Sequence, residues 1–157
     1  MVAAAVGASI DLRTGRIPNV LTFTTALGGL AAAALGITHL SVWLALAGLA
    51  LGLGFMLPGY VLGGSGAGDV KLMAAAGAWL GPERIVVAFL ASAIAGGALA
   101  VWHAQRRGRM GVTVTRTARL VSGPVAAKAE IDAGAALTRF AYGPAIALGV
   151  LVAALWR

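Results

Sequence analysis

Cysteine is absent from this 157-residue chain, which excludes disulfides and thiolate-held zinc. Histidine occurs only twice, and no His/Glu spacing follows that of a metalloprotease helix, so neither a metal nor another cofactor is expected. Charge is scarce as well: 11% of the residues are charged and five are acidic, against 60% hydrophobic, with a mean hydropathy of +0.92. That balance excludes an ordinary water-soluble domain and points to lipid as the solvent.

What is abundant is apolar sequence, in stretches close to the roughly 20 residues a helix needs to cross a hydrocarbon core. Residues 1–10 are apolar, lack a basic n-region and run straight into Asp11, so they are not read as a cleaved secretory signal. Ten residues reach only about 15 Å, so this first helix is either truncated or enters the bilayer partway. A second helix is expected over 20–37, opening after Pro18 and Asn19, and a third over 40–62, where Pro58-Gly59 predicts a kink or an early end. The glycine-rich residues 63–68 read as a mobile loop. A short segment over 70–80 is stopped by Gly81-Pro82, and two more spans cover 85–102 and 140–156. The expected fold is all-α: one membrane-embedded domain over residues 1–157, with about six helical segments and membrane lipids as its surroundings.

The formal charge of +7 would suit nucleic acid, but the basic residues gather in the connections between apolar stretches. Placing Arg13 and Arg16 in the cytoplasm and alternating brings Lys71, Arg106, Arg107, Arg109, Arg116, Arg119, Lys128 and Arg139 to the same side. Ten basic residues then face the cytoplasm, and Arg84 and Arg157 lie opposite. That asymmetry follows the positive-inside rule, puts both termini outside, and makes nucleic acid an unnecessary partner. It also sets Asp11 and Asp69 on one face. The polar stretch at about 104–139 then forms a basic cytoplasmic loop resting on anionic headgroups, with a lid or partner contact as the alternative.

Of the five acids, Asp11 and Asp69 sit where apolar segments begin or end. A carboxylate near hydrocarbon is costly, by about 2.5 to 3.5 kcal/mol at mid-membrane, which marks both as functional candidates. Asp11 opens D-x5-I-P-N, through Ile17, Pro18 and Asn19, and Asp69 sits in G-x-G-D-x-K, from Gly66 to Lys71. Together, in this order and with one apolar hairpin between them, the two motifs resemble the type IV prepilin peptidases, in the short form associated with Flp or Tad pilus systems. Tyr142-Gly143-Pro144-Ala145 is similar to the start of that family's last helix, although Ala141 stands where the family often has proline.

The resemblance implies an aspartic endopeptidase of the G-x-G-D class in the bacterial inner membrane. Asp11 and Asp69 would act at its cytoplasmic face, cutting the basic leader from prepilins. Longer relatives also methylate the new N-terminus and carry paired Cys-x-x-Cys motifs between their first helices. This chain has no cysteine and a short connection from Asp11 to Asn19, so methyltransferase activity is not expected. The same aspartates would equally serve a proton- or cation-coupled transporter, the principal rival. A non-catalytic assembly subunit and a peptidase for other membrane segments are further alternatives.

The neighbouring residues have supporting readings. Gly66 and Gly68 would let a substrate backbone approach, or let the loop adopt positive φ. Lys71 would pair with Asp69, pair with an acidic group near the cleavage site, or anchor topology. Pro18 would fix the start of the second helix and Asn19 would cap it. Gly48, Gly52 and the Gly96-Gly97 pair read as helix-contact surfaces.

Overall fold

Several helix boundaries among the described residues fall at glycine or proline. The computed structural model describes residues 2–14, 18–61, 65–106 and 142–156, and every regular element among them is helical. The elements are α1 (Val2–Thr14), α2 (Asn19–Ala34), α3 (Val42–Val61), α4 (Ala67–Arg106) and α5 (Gly143–Leu155). Because α4 is broken at Gly81, these amount to the six expected segments.

Several boundaries differ from expectation. Helix α1 continues past Ile10 to Thr14, so Asp11 lies inside it rather than heading a loop. Helix α2 stops at Ala34, three residues early, because Gly36 adopts φ +68°. Its N–H reaches Ala33 O at 3.2 Å while that of Ile37 reaches Ala32 O at 2.9 Å, the paired bonds of a Schellman end. Helix α3 neither stops early nor ends at Pro58 but continues to Val61. The glycine-rich run yields its last two residues, Ala67 and Gly68, to the first turn of α4, and residues 62–64 lie outside the described part. At the far end α4 continues to Arg106, so 104–106 are helical and the rest of the predicted basic loop, from 107, lies outside the described residues.

Gly81 has φ 76° and ψ 178°, a region essentially reserved for glycine. Pro82 follows as the first residue of the second helical half, where its fixed φ fits and its missing N–H costs nothing. An alanine at Gly81 would be strained and would meet the Leu40 side chain at 2.8 Å. Gly81→Ala is therefore expected to cost about 1–3 kcal/mol, read as a lower unfolding midpoint in detergent.

The first half of α4 is the centre of the molecule, with Leu72, Met73, Ala75 and Ala78 almost fully buried. Helices α3 and α5 pack most extensively on α4 taken as a whole, α5 meeting its second half at Ala88 and Ser92, while α2 also contacts α4 and α1 leans chiefly on α5. Met56 from α3, Ile85 and Ala88 from α4, and Ile146, Val150 and Ala153 from α5 complete the core. Small residues permit this closeness: a side chain on Gly48 or Gly52 would meet the α4 backbone at Gly77 or Met73. Gly96 likewise receives the Tyr142 ring, whereas Gly97 faces open space. The Trp79 indole N–H donates to Thr25 O at 2.8 Å, tying α4 to α2.

The outside is as apolar as the inside. Val20, Phe23, Leu27, Trp43, Leu57, Ile94 and Leu151 are all exposed, on four of the five helices. Two helical stretches, Val42–Val61 and Ala67–Leu99, are long and apolar enough to cross a membrane. An apolar surface on this scale fits a membrane protein, whose helices find hydrocarbon where a soluble domain would find water.

Candidate active site

Asp69 sits at the third position of α4, after Gly66, Ala67 and Gly68. The Asp69 and Val70 N–H groups donate to Gly66 O at 3.0 and 3.3 Å. In return the Gly66 N–H donates to Asp69 Oδ2 at 3.0 Å. This is the acidic half of a capping box, in which a side chain at the third helical position reaches back to the cap residue. The first turn also presents its positive dipole end to the carboxylate. Gly66 and Gly68 thus differ from one expectation: neither takes a positive φ, because the chain between them already enters a helix.

Asp11 lies in the last turn of α1 with only 7% of its surface exposed, and Asp69 is buried to the same degree at 6%. The Gly143 N–H, at the start of α5, donates to Asp11 Oδ2 at 3.0 Å across 132 residues of sequence. Both carboxylates therefore rest at helix N-termini, Asp69 at that of its own helix and Asp11 at that of another. They lie close enough for the charge of Asp11 to act on Asp69. Tyr142, immediately before Gly143, is in electrostatic reach of Asp69 as well.

The remaining candidates are brought to the same end of the molecule, with altered partners. Pro18 is the N-cap of α2, at φ −62° and ψ 134°, as its fixed ring allows. Asn19 does not cap that helix, because it is already the first helical residue. Its side chain instead accepts a hydrogen bond from Lys71 Nζ at 2.8 Å. Lys71 therefore engages Asn19 rather than Asp69, and its ammonium lies 6.0 Å from the centre of the Phe23 ring. This contact fastens α2 to the start of α4.

That contact is measurable. Asn19→Ala and Lys71→Ala are expected to be non-additive, with a coupling of about 0.5–1 kcal/mol in a double-mutant cycle on unfolding, the range for an exposed pair. Strict additivity would mean that the two side chains do not meet.

Sequence reading singled out both aspartates as candidates but missed the groups that hold them. Gly143 was visible only as part of a motif, and its use is steric: a Cβ there would lie 2.7 Å from Asp11 Oδ2. Tyr142 and Ser92 carried no signal of their partnership, in which the phenol donates to Ser92 O at 3.0 Å. Among the described residues no group of three or more His, Asp or Glu side chains is arranged to hold a metal.

A helical, lipid-adapted chain with two buried, electrically coupled carboxylates has the chemical equipment of a membrane aspartic protease. Comparison with known proteins places it more closely. The model of the type IV leader peptidase family matches residues 1–101, a span that includes both aspartates. Two proteins of Burkholderia pseudomallei, strains 1026b and K96243, each described as a prepilin leader peptidase/N-methyltransferase, are 38% identical to the chain over 114 residues. The alignment covers 65% of this chain and 35% of each relative, so the chain spans about a third of their length. No solved structure matches. The chain belongs to the type IV leader peptidase family.

Proposed function

We propose that this protein is an aspartic endopeptidase that removes the basic leader peptide from type IV, Flp-like prepilins. The site works at the cytoplasmic face of the bacterial inner membrane, and the protein does not methylate the product. The observation that carries the reading is the pair of buried carboxylates, Asp11 and Asp69, supplied by different helices and within each other's field. Two such groups do not both ionise cheaply, so one proton is shared between them. The ionised partner takes a proton from water as that water attacks the scissile carbonyl, while the protonated partner polarises the carbonyl oxygen. When the tetrahedral intermediate collapses, a proton passes to the leaving amine and the dyad returns to its starting state. Neither carboxylate is assigned a fixed role, because each is buried to the same degree and each accepts a backbone N–H at a helix N-terminus.

Location contributes to specificity. Both aspartates sit at helix ends, and helices that start or stop there put them at a boundary between water and hydrocarbon. A prepilin has a basic leader in water and an apolar helix in lipid, so its cleavage site meets the same boundary. The short connection between α1 and α2, without cysteine, supports peptidase activity alone.

The test is to incubate the purified protein in detergent with a panel of pilin precursors and a methyl donor, then read the products by mass. One cut after the basic leader, with no methyl group added, is the expected result. A folded protein that leaves every precursor intact, yet moves protons or cations into liposomes, would transfer the aspartates to a transporter.

A further inference from the structure

Direct packing between the helices that carry Asp11 and Asp69 is slight, with Leu72 of α4 beside Gly7 of α1. Helix α1 barely touches α4 and leans chiefly on α5. Asp11 is instead fixed through its hydrogen bond from the Gly143 N–H. That N–H sits on a turn that is itself fastened to α4. The Tyr142 hydroxyl donates to Ser92 O at 3.0 Å, and its ring fills the space where Gly96 has no side chain. A path therefore runs from the half of α4 that carries Asp69, across the Gly81 break into its second half, and on through Ser92 and Tyr142 to Gly143 and Asp11. Every link in it is a hydrogen bond, a ring seated on a glycine, or adjacency in the chain.

We propose that Tyr142 and Gly143 are positioning residues for Asp11, the α5 start serving as a bracket that sets the spacing of the two aspartates. The inference rests on the reading of Asp11 as a catalytic acid or base. It gives a role to a segment beyond the 1–101 stretch that the family model matches. Gly143 is required for steric reasons. A Cβ at that position would stand 2.7 Å from Asp11 Oδ2, 3.0 Å from its Cβ and 3.2 Å from its Cγ, so the carboxylate would have to move. Tyr142 is required for its hydroxyl, since the ring alone would rest against Gly96 without being anchored to Ser92.

Kinetics on a prepilin that the protein cleaves provide the test. Misplacing a reacting group by about an ångström costs up to about a hundredfold, so Gly143→Ala should lower kcat by about ten- to a hundredfold. KM should stay within about twofold, because the substrate's own contacts are untouched. Tyr142→Phe keeps the ring and loses only the hydroxyl, so its kcat should fall less than that of Tyr142→Ala. A bulk folding defect would instead lower the amount of active protein in all three without that ranking. The bracket also has a spectroscopic signature: in protein labelled with 15N-glycine, Asp11→Ala should move the Gly143 amide proton upfield, as its charged acceptor is lost. If Gly143→Ala does not fold, that measurement decides, and an unmoved amide overturns the proposal. Wild-type kcat in Gly143→Ala alongside an inactive Asp11→Asn would also overturn it while leaving the catalytic reading intact. Normal cleavage by Asp11→Asn would end both.

Discussion

Asn in place of either Asp11 or Asp69 is expected to reduce prepilin cleavage by at least about a hundredfold while leaving the fold in place, since positioned acid and base groups contribute about 10²–10⁴. The substitution separates proton transfer from architecture. An amide oxygen at 69 still accepts the Gly66 N–H that starts α4, and one at 11 still accepts the Gly143 N–H. What the amide cannot do is take a proton from water or give one to a leaving amine. If the two residues act as the single unit proposed, the double variant should be no slower than either single one. Mass spectrometry of timed digests gives the rates, and the unfolding midpoint in detergent shows whether the fold has survived. A variant that keeps a tenth of the normal rate would remove its aspartate from the chemistry. Rate losses that multiply in the double variant would mean that the two groups act in separate steps.

The two acids were legible in the sequence because so few acids occur in so apolar a chain, and because both fall at ends of apolar segments. Helix number was legible for a similar reason: Gly81-Pro82 marks the break in α4, and the glycines at 66 and 68 mark its start. The early end of α2 at Gly36 and the capping of α4 by Asp69 are local effects and follow from local patterns, a glycine after an apolar stretch and an acid three residues beyond the cap. The partners of Asp11 and Lys71 are different in kind. Gly143 lies 132 residues from Asp11, and Asn19 lies 52 from Lys71. A backbone N–H has no residue type to betray it, so a bond that depends on where α5 begins leaves no trace in composition or spacing. Asn19 was misread because its residue type fits a cap, but Pro18 already occupies that position and frees its side chain for Lys71.

Helix α3 should separate from α4 when Gly48 is replaced by valine, at a cost of about 3 kcal/mol or more. The two helices meet backbone to backbone. A Cβ on Gly48 would run into the Gly77 carbonyl oxygen and lie 2.9 Å from the Gly81 carbonyl carbon, and one on Gly77 would run into Gly48 in return. No flexible side chain stands at either place to move aside, so the strain is relieved only by moving one helix away from the other. Such a movement opens the side of the core that Met56 closes against Met73 and Leu72. It also releases the half of α4 whose first turn holds Asp69, so cleavage should fall in step with the folded fraction. Gly54, on the same helix, has no atom within 4 Å of an added Cβ. Gly54→Ala should therefore be neutral or stabilising by up to about 1 kcal/mol, since alanine gives up less backbone freedom on folding. Unfolding of the two variants in a detergent titration makes the comparison. Equal stability for Gly48→Val and Gly54→Ala would mean that α3 and α4 are not in backbone contact, and that something other than this glycine seam holds the first half of α4 in place.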